Sequence, residues 1–443
     1  MDLTHALRIQ PAQSVAFTGA GGKTTAIRKL AVELGKRELV LVTTTTKIWG
    51  HQNDLAAFHI DSPQDFSLLE PLLEEHGSVL VTAGLIEDEG KWKGLSEDGI
   101  TALHRLAQSM GAFLLIEADG ARGRSLKAPA PYEPVVPEWV DLVVPMAGMD
   151  VLGEALDSTL IHRPERVARI LSGLGDEPLT PRSIAKILCS PQGGLQSIPG
   201  DACVRTLLNK VEGQERKLYA SEIARHILKE RRVQSVILAA VQNEAPVSEV
   251  HARTAGVVLA AGRSTRFAGR KQLLEWHGKP LVRYAADAAC RAGLAPVVVV
   301  MGEGDHALRD ALGDLPLEFV VNENPDAGQG HSLKLGVGAL PGDVDAAVLC
   351  LADMPLVDEK VIQALLAAHQ SSLAPIVAPH AQGRYGNPVL FDRSTFDLLK
   401  DICGDRGGRV LFDRLPPLAV PWDDAVLFDV DTKADWERLQ GME

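Results

Sequence analysis

The sequence predicts an α/β fold arranged as two three-layer α/β/α domains. Three observations carry that prediction. Short apolar runs that end in polar, glycine-bearing loops recur along the chain, with helical patterns between them, as in sheets joined by crossover helices. Two of these runs, Ser14–Phe17 and Gly256–Leu259, each open a half of the chain and empty into a loop of small residues followed by cations. Residues 244–254 lose apolar periodicity and gather charge and breakers, which sets one domain at 1–243, a linker at 244–254 and a second domain at 255–443.

Composition narrows the class further. The chain has 443 residues, 46% hydrophobic and 23% charged, enough for two or three separate cores. A formal net charge of -13 argues against nucleic acid or an anionic membrane as a general partner, though it leaves room for local cationic pockets. No uninterrupted apolar stretch approaches the roughly 18–20 residues of a membrane helix, and the start of the chain has no apolar leader. The 5 cysteines form no C-x-x-C pair, as expected for reduced thiols in a cytoplasmic protein.

In the first domain, Ser14–Phe17 leads to Thr18-Gly19-Ala20-Gly21-Gly22-Lys23-Thr24-Thr25, and a helical pattern runs from Ala26 to Leu34. Strand, glycine loop, lysine, hydroxyl and helix form a phosphate cradle. Backbone N–H groups around Gly19, Gly21 and Gly22 approach the anion, Lys23 reaches terminal phosphates, Thr24 can ligate Mg²⁺, and Thr25 completes the nucleotide-binding loop. Phe17 stands where a standard Walker loop has its first glycine, so the loop is shorter and P-loop-like rather than a full match. It looks more like the ATP loop of the Mur ligases.

A second strand, Glu38–Val42, delivers Thr43-Thr44-Thr45-Thr46-Lys47 to the carboxyl edge of the sheet, where open α/β folds place ligands. A third, Ala112–Ile116, delivers Glu117 and Asp119, which could coordinate Mg²⁺ or orient a nucleophile. Strand Leu142–Val144 precedes Ile161-His162-Arg163-Pro164-Glu165, where a helix opens. Strand Val204–Leu208 ends in Asn209-Lys210-Val211-Glu212, similar to a base-reading N-K-x-D element, and helix Arg216–Glu230 with strand Val233–Ala239 completes the domain.

In the second domain, Gly256–Leu259 runs into Ala260-Ala261-Gly262-Arg263-Ser264, then Arg266 and Lys271: small residues for close approach, cations for charge. Helix Pro280–Ala292 and strands Pro296–Val300 and Leu317–Val321 follow. Asn322 to Lys334 is a glycine loop in which His331-Ser332 would cap a helix, placing Asn322, Gly330 and Ser332 near a base or ribose. The most apolar strand, Ala346–Leu351, delivers Asp353, a hard-metal ligand candidate. Asn387 opens a further strand. Asp405 and Arg406, with Arg409, lie in a glycine loop suited to a second anion. Phe428–Thr432 alternates as a strand would, setting Asp429 and Asp431 on one face.

Residues 1–243, through Thr18–Thr25, Thr43–Lys47, Glu117–Lys127 and His162-Arg163-Pro164, resemble the YqeC family, accessory factors linked to selenium-dependent molybdenum hydroxylases. That resemblance implies an N-terminal P-loop-like domain that binds a nucleotide, ATP or GTP, and a molybdenum hydroxylase apoenzyme as partner. Residues 255–440 resemble the MobA-like nucleotidyltransferases, most closely the molybdenum cofactor cytidylyltransferase branch. Ala261 is typical of CTP users, whereas guanylyltransferase relatives usually carry glycine there. The chain departs from that family's pattern at Gly269, Gly408 and Lys433.

The second resemblance implies a Rossmann-like domain that transfers CMP from CTP to the molybdopterin cofactor. It further implies Mg²⁺ on Asp353 and Asp431, Arg266 and Lys271 balancing phosphate charge, and Asn387, Asp405 and Arg406 on the acceptor side. Two alternatives stand beside it: a guanylyl- or sugar-phosphate nucleotidyltransferase, and a non-catalytic chaperone that carries the cofactor to a hydroxylase.

Overall fold

The computed structural model describes residues 1–442 except 63–65, 173–176, 263–266, 268–269 and 405, and Ser67 by its backbone only. The chain divides into two compact units, Met1–His251 and Ala252–Glu443.

The first unit is built on a nine-stranded sheet. Its strands are β1 (Ser14–Gly19), β2 (Val40–Thr44), β3 (Phe58–Asp61), β4 (Ser78–Thr82), β5 (Phe113–Glu117), β6 (Leu142–Gly148), β7 (Cys203–Asn209), β8 (Ser235–Ala239) and β9 (Val247–Ala252). Their spatial order is β9-β8-β7-β6-β1-β5-β2-β4-β3. Neighbours from β8 to β3 are parallel. Runs such as Val40-Leu41-Val42 are buried on both faces, the pattern of a covered parallel sheet. β1 lies between β5 and β6, so three carboxyl ends converge where the first glycine loop begins.

Helix α1 (Lys23–Leu34) packs on β1, β2 and β5. Helix α2 (Glu97–Met110), started by the Ser96 hydroxyl accepting from Gly99 N–H, sends Ile100, Leu103 and Ala107 onto Leu41, Leu114 and Ile116. Helices α3 (Pro164–Leu171), α4 (Pro181–Leu188) and α5 (Gln214–Ile227) cover the β7 and β8 side of the sheet.

The second unit has its own sheet: β10 (Thr254–Leu259), β11 (Val297–Gly302), β12 (Leu317–Asn322), β13 (Ala346–Leu351), β14 (Ile376–Ala381), β15 (Arg384–Tyr385), β16 (Val389–Asp392) and β17 (Leu418–Pro421). The order is β12-β11-β10-β13-β16-β14-β15, with β17 beside β14. β10 to β13 are parallel, and β16 runs antiparallel to both its neighbours.

Alternation divides this core in two. Val258, Val299 and Val348 pack with helices α6 (Leu281–Arg291) and α8 (Glu359–Ser372). Val257, Val300 and Ala347 pack on the opposite face with α7 (Gln329–Gly338). Each fully buried valine contributes about 1.5 kcal/mol of hydrophobic stabilisation, so these rows hold the strand ends firmly. A last helix, α9 (Lys433–Gln440), closes the chain.

Four expectations need correction. The 244–254 stretch is not irregular: Val247–Ala252 forms β9, with Val247 and Val250 buried. Its charged residues are those of an edge strand, since Glu249 pairs with Lys217 and His251. Phe428–Thr432 is not a strand; Val430 is buried and its N–H donates to Asp353 O at 3.0 Å, so the alternation reflects one anchored residue between two aspartates. His331-Ser332 does not cap α7, which begins at Gln329 behind Gly328, while the Ser332 hydroxyl accepts from Asn322 Nδ2 at 2.9 Å. Helix α1 begins at Lys23 rather than Ala26, because Gly22 in a left-handed conformation turns the chain directly into it.

Candidate functional site

The first unit's loop is shaped by its neighbours. Gly21 has φ +86°, and a side chain there would place Cβ 2.2 Å from Gly148 N, so only glycine fits against the end of β6. Gly21 N–H donates to Arg124 O at 2.9 Å, which folds the segment after β5 onto the loop. Asn209, at the end of β7, donates from Nδ2 to Gly21 O at 2.7 Å and accepts from Val241 N–H at 3.0 Å. A Cβ on Gly22 would meet that Nδ2 at 2.6 Å. Asn209 therefore braces the loop. Lys210 is likewise engaged, with Asp150 and Ser125 both at 2.7 Å.

Behind the loop runs a chain of buried charge. Lys23 Nζ donates to Gly19 O at 2.6 Å and lies 3.1 Å from Asp119 Oδ1. Asp119 Oδ2 accepts from Gly19 N–H at 3.1 Å and pairs with Lys127 at 2.8 Å. Lys127 continues to Glu133 at 2.9 Å, and Arg163 holds Glu133 through two contacts of 2.7 and 3.2 Å.

Burial would raise the Glu133 carboxyl, but Arg163 and Lys127 overcome it and hold it at about 2. The Glu117 carboxyl is pushed up by burial, against the pull of Lys23. Its Oε2 accepts from the Thr24 hydroxyl at 3.3 Å, and Thr24 in turn accepts from Gln52 Nε2 at 2.9 Å. Lys23, Thr24, Glu117 and Asp119 thus come together at Gly19–Gly22, with Thr25 on the next position of α1. Lys47 stands half-exposed and paired with Glu89. Glu133 and Gln52, which complete the surroundings of the loop, carried no motif that would have marked them in the sequence.

In the second unit the centre is Lys271. Its Nζ lies 2.6 Å from Asp353 Oδ2, just past β13, and 2.6 Å from Asp431 Oδ1, just before α9. Asp431 is positioned by the reciprocal cap of Thr432 and Asp435 that starts α9. Burial alone would lower the Lys271 amine, but the two carboxylates raise it, so it stays cationic. Asp429 is raised by burial and by the charges of Asp431 and Asp353.

The adjoining Gln272, which sequence reasoning passed over, donates from Nε2 to Gly262 O at 2.7 Å and fixes the start of the loop after β10. Ala260 N–H bonds Val300 O at 2.8 Å, so Ala260 and the buried Ala261 belong to the frame of that loop. Asn322 is buried, spans the 322–332 loop to Ser332, and accepts from Asn324 N–H; Gly330 N–H donates to Gly404 O at 2.9 Å. Arg263, Ser264, Arg266 and Asp405 lie outside the described residues.

Asn387 lines a cleft of about 670 Å³ with Gln329, Tyr385, Arg409, Phe412 and Asp429. Arg406 is exposed and is not among the residues that line this cleft, whereas Arg409 of the same loop is. Among the described residues no cluster of three or more His, Cys, Asp or Glu side chains is disposed to hold a metal, and no helix is long and apolar enough to cross a membrane.

A parallel strand, a loop of small residues and a lysine shared by one carboxylate just past a strand and another just before a helix make up the site of the second unit, whose residues match an NTP transferase domain. Residues 256–418 match the MobA-like NTP transferase domain and residues 15–165 match the YqeC protein family.

The uncharacterized protein YqeC of Escherichia coli (strain K12) is 28% identical over 243 residues, 53% of this chain and 90% of its own length. The bifunctional protein GlmU of Exiguobacterium sp. is 33% identical over 192 residues, and the chain spans only 42% of that relative. Among solved structures, Rv0371c of Mycobacterium tuberculosis H37Rv is 29% identical over 42% of this chain and 97% of its own, with a TM-score of 0.39.

Proposed function

We propose that the second unit transfers CMP from CTP to the terminal phosphate of the molybdopterin cofactor and releases pyrophosphate. In this reading the first unit binds ATP or GTP and serves the maturation of a molybdenum hydroxylase. The observation that carries the transferase reading is the Lys271 amine held between Asp353 and Asp431 beside the loop that follows β10.

The residues fit a divalent ion. Asp353 Oδ1 is buried with no hydrogen-bond partner among the described residues, and Asp353 and Asp431, with Asp429 nearby, share one lysine, an excess of negative charge that a dication would balance. Two carboxylates suit Mg²⁺, which takes its remaining ligands from water and substrate phosphates. When bound, that ion would draw charge from the phosphate oxygens.

The chain's own residues do the rest. The loop at Ala261–Gly262, pinned by Gln272, receives the triphosphate. Lys271 supplies fixed positive charge to it, and Asn387 and Arg409 orient the acceptor phosphate in the adjoining cleft. A phosphate nucleophile is already anionic, so in-line attack on the α-phosphorus needs no general base. Positioning and charge stabilisation supply the rate.

Pyrophosphate release measured with CTP, GTP, ATP and UTP, each with and without molybdopterin cofactor, tests the reading. Release with CTP that depends on the cofactor is expected. Release with another nucleotide or a sugar phosphate would overturn the specificity, and tight cofactor binding with no pyrophosphate at all would replace transfer with carriage.

A further inference from the structure

The ion pairs of the two units differ in a way that bears on the second. In the first unit one carboxylate, Asp119, receives two ammonium groups and a backbone N–H. In the second, one ammonium group, Lys271, serves two carboxylates. Asp353 keeps one buried oxygen that no donor among the described residues reaches. Asp119 Oδ1 likewise makes no hydrogen bond with them, but it lies 3.1 Å from the Lys23 ammonium, whereas the Lys271 contact of Asp353 is made through its other oxygen, Oδ2. The cluster also stands open: the Asp431 side chain is 45% exposed, against 12% for Lys271. Lys271 therefore occupies the point between two carboxylate oxygens where a cation of higher charge would sit, and the two cannot be there together.

We infer that Lys271 is a stand-in for the divalent ion. With no ligand bound it holds Asp353 and Asp431 together and keeps free metal out, and it releases them when a metal-bearing triphosphate offers its amine anionic oxygens. The inference rests on reading Asp353 and Asp431 as the ion's ligands. It gives Lys271, besides its charge on the bound triphosphate, the task of selecting the metal–nucleotide complex over the free ion. The lysine has a short way to go: it begins the turn Lys271–Leu273, whose Gln272 is bonded to Gly262 O, so its amine swings about a fixed base at the edge of the loop.

The test is Mn²⁺ binding to the full chain without nucleotide, followed by the electron paramagnetic resonance of the free ion. Lys271→Met is expected to bind Mn²⁺ at least about ten-fold more tightly than the unaltered chain, because the competing positive charge is gone. Adding Asp353→Asn to that variant is expected to abolish the gain. Lys271→Gln, which keeps a donor for Asp353, serves if circular dichroism shows the methionine variant unfolded. Equal or weaker binding by the lysine variants, with Asp353→Asn still removing it, would overturn the stand-in role and leave the ion site intact. Binding indifferent to Asp353→Asn would overturn both.

Discussion

Lys271 Nζ and Asp353 Oδ2 lie 2.6 Å apart, one from the turn after the β10 loop and the other from the end of the neighbouring strand β13. Parallel pairing of β10 with β13 brings the two strand ends to the same edge, and the N–H of Val430 on Asp353 O carries Asp431 to it as well. The sheet's topology assembles this cluster from three distant parts of the sequence.

Lys271→Ala and Asp353→Asn should each lower nucleotidyl transfer by roughly 10²–10³-fold, the usual loss when a fixed transition-state charge is removed. Neither residue belongs to the apolar cores of the second unit. Steady-state pyrophosphate release, with circular dichroism as the control for folding, decides it; activity within a few-fold of the parent would exclude both residues from the chemistry.

The strands were legible because they are buried on both faces: Gly256–Leu259 and Ala346–Leu351 read as apolar runs without any tertiary information. Lys23 and Lys271 were marked by the glycine loops they follow, and Asp353 by the strand end it follows. What stayed hidden depends on contacts distant in sequence. Gln272 and Asn209 look like ordinary polar residues until the backbone oxygens they hold are known. Edge strand β9 was mistaken for a linker because its charges are neutralised by Lys217 on another element. Asp429 and Asp431 were placed on a strand because alternation in five residues also arises from a single buried valine, Val430.

Asp119→Asn should destabilise the first unit by about 3–5 kcal/mol, since it leaves the buried Lys23 and Lys127 without their shared counter-charge. Chemical denaturation reports it. A change under about 1 kcal/mol would mean the two lysines find other partners.

Two groups of the first unit set its acid response. Burial, then the charges of Arg163 and Lys127, lower the His162 imidazole to about 4 from 6.5, so the folded state favours the neutral ring. Its contribution is complete above pH 6.5 and is lost as pH falls toward 4. Glu133, at about 2 against 4.5, contributes fully above pH 4.5 and loses that contribution as pH falls toward 2. Stability measured against pH should therefore be flatter between 6.5 and 4.5 in His162→Asn, and flatter below 4.5 in Glu133→Gln. Slopes matching the parent in both windows would contradict the assignment.

Gly21→Ala should cost at least about 2 kcal/mol and remove nucleotide binding by the first unit, because its Cβ would overlap backbone atoms of Ala147 and Gly148. Gly111→Ala makes the comparison: its φ is +67°, but no atom lies within 4 Å of the added carbon, so only the backbone penalty of about 1 kcal/mol applies. Thermal unfolding and binding of a fluorescent nucleotide distinguish the two.

The Asn209 brace carries a consequence for the thermodynamics of any guest in the first unit. Because Asn209 Nδ2 donates to Gly21 O while Asn209 Oδ1 accepts from Val241 N–H, protein contacts alone hold the shape of the cradle. Ordering of that rim is complete once the chain has folded. Occupancy should then leave the amide-exchange protection of Gly21 and Gly22 almost unchanged, with the measurable response confined to the side chain of Lys23 as it trades Asp119 for the newcomer.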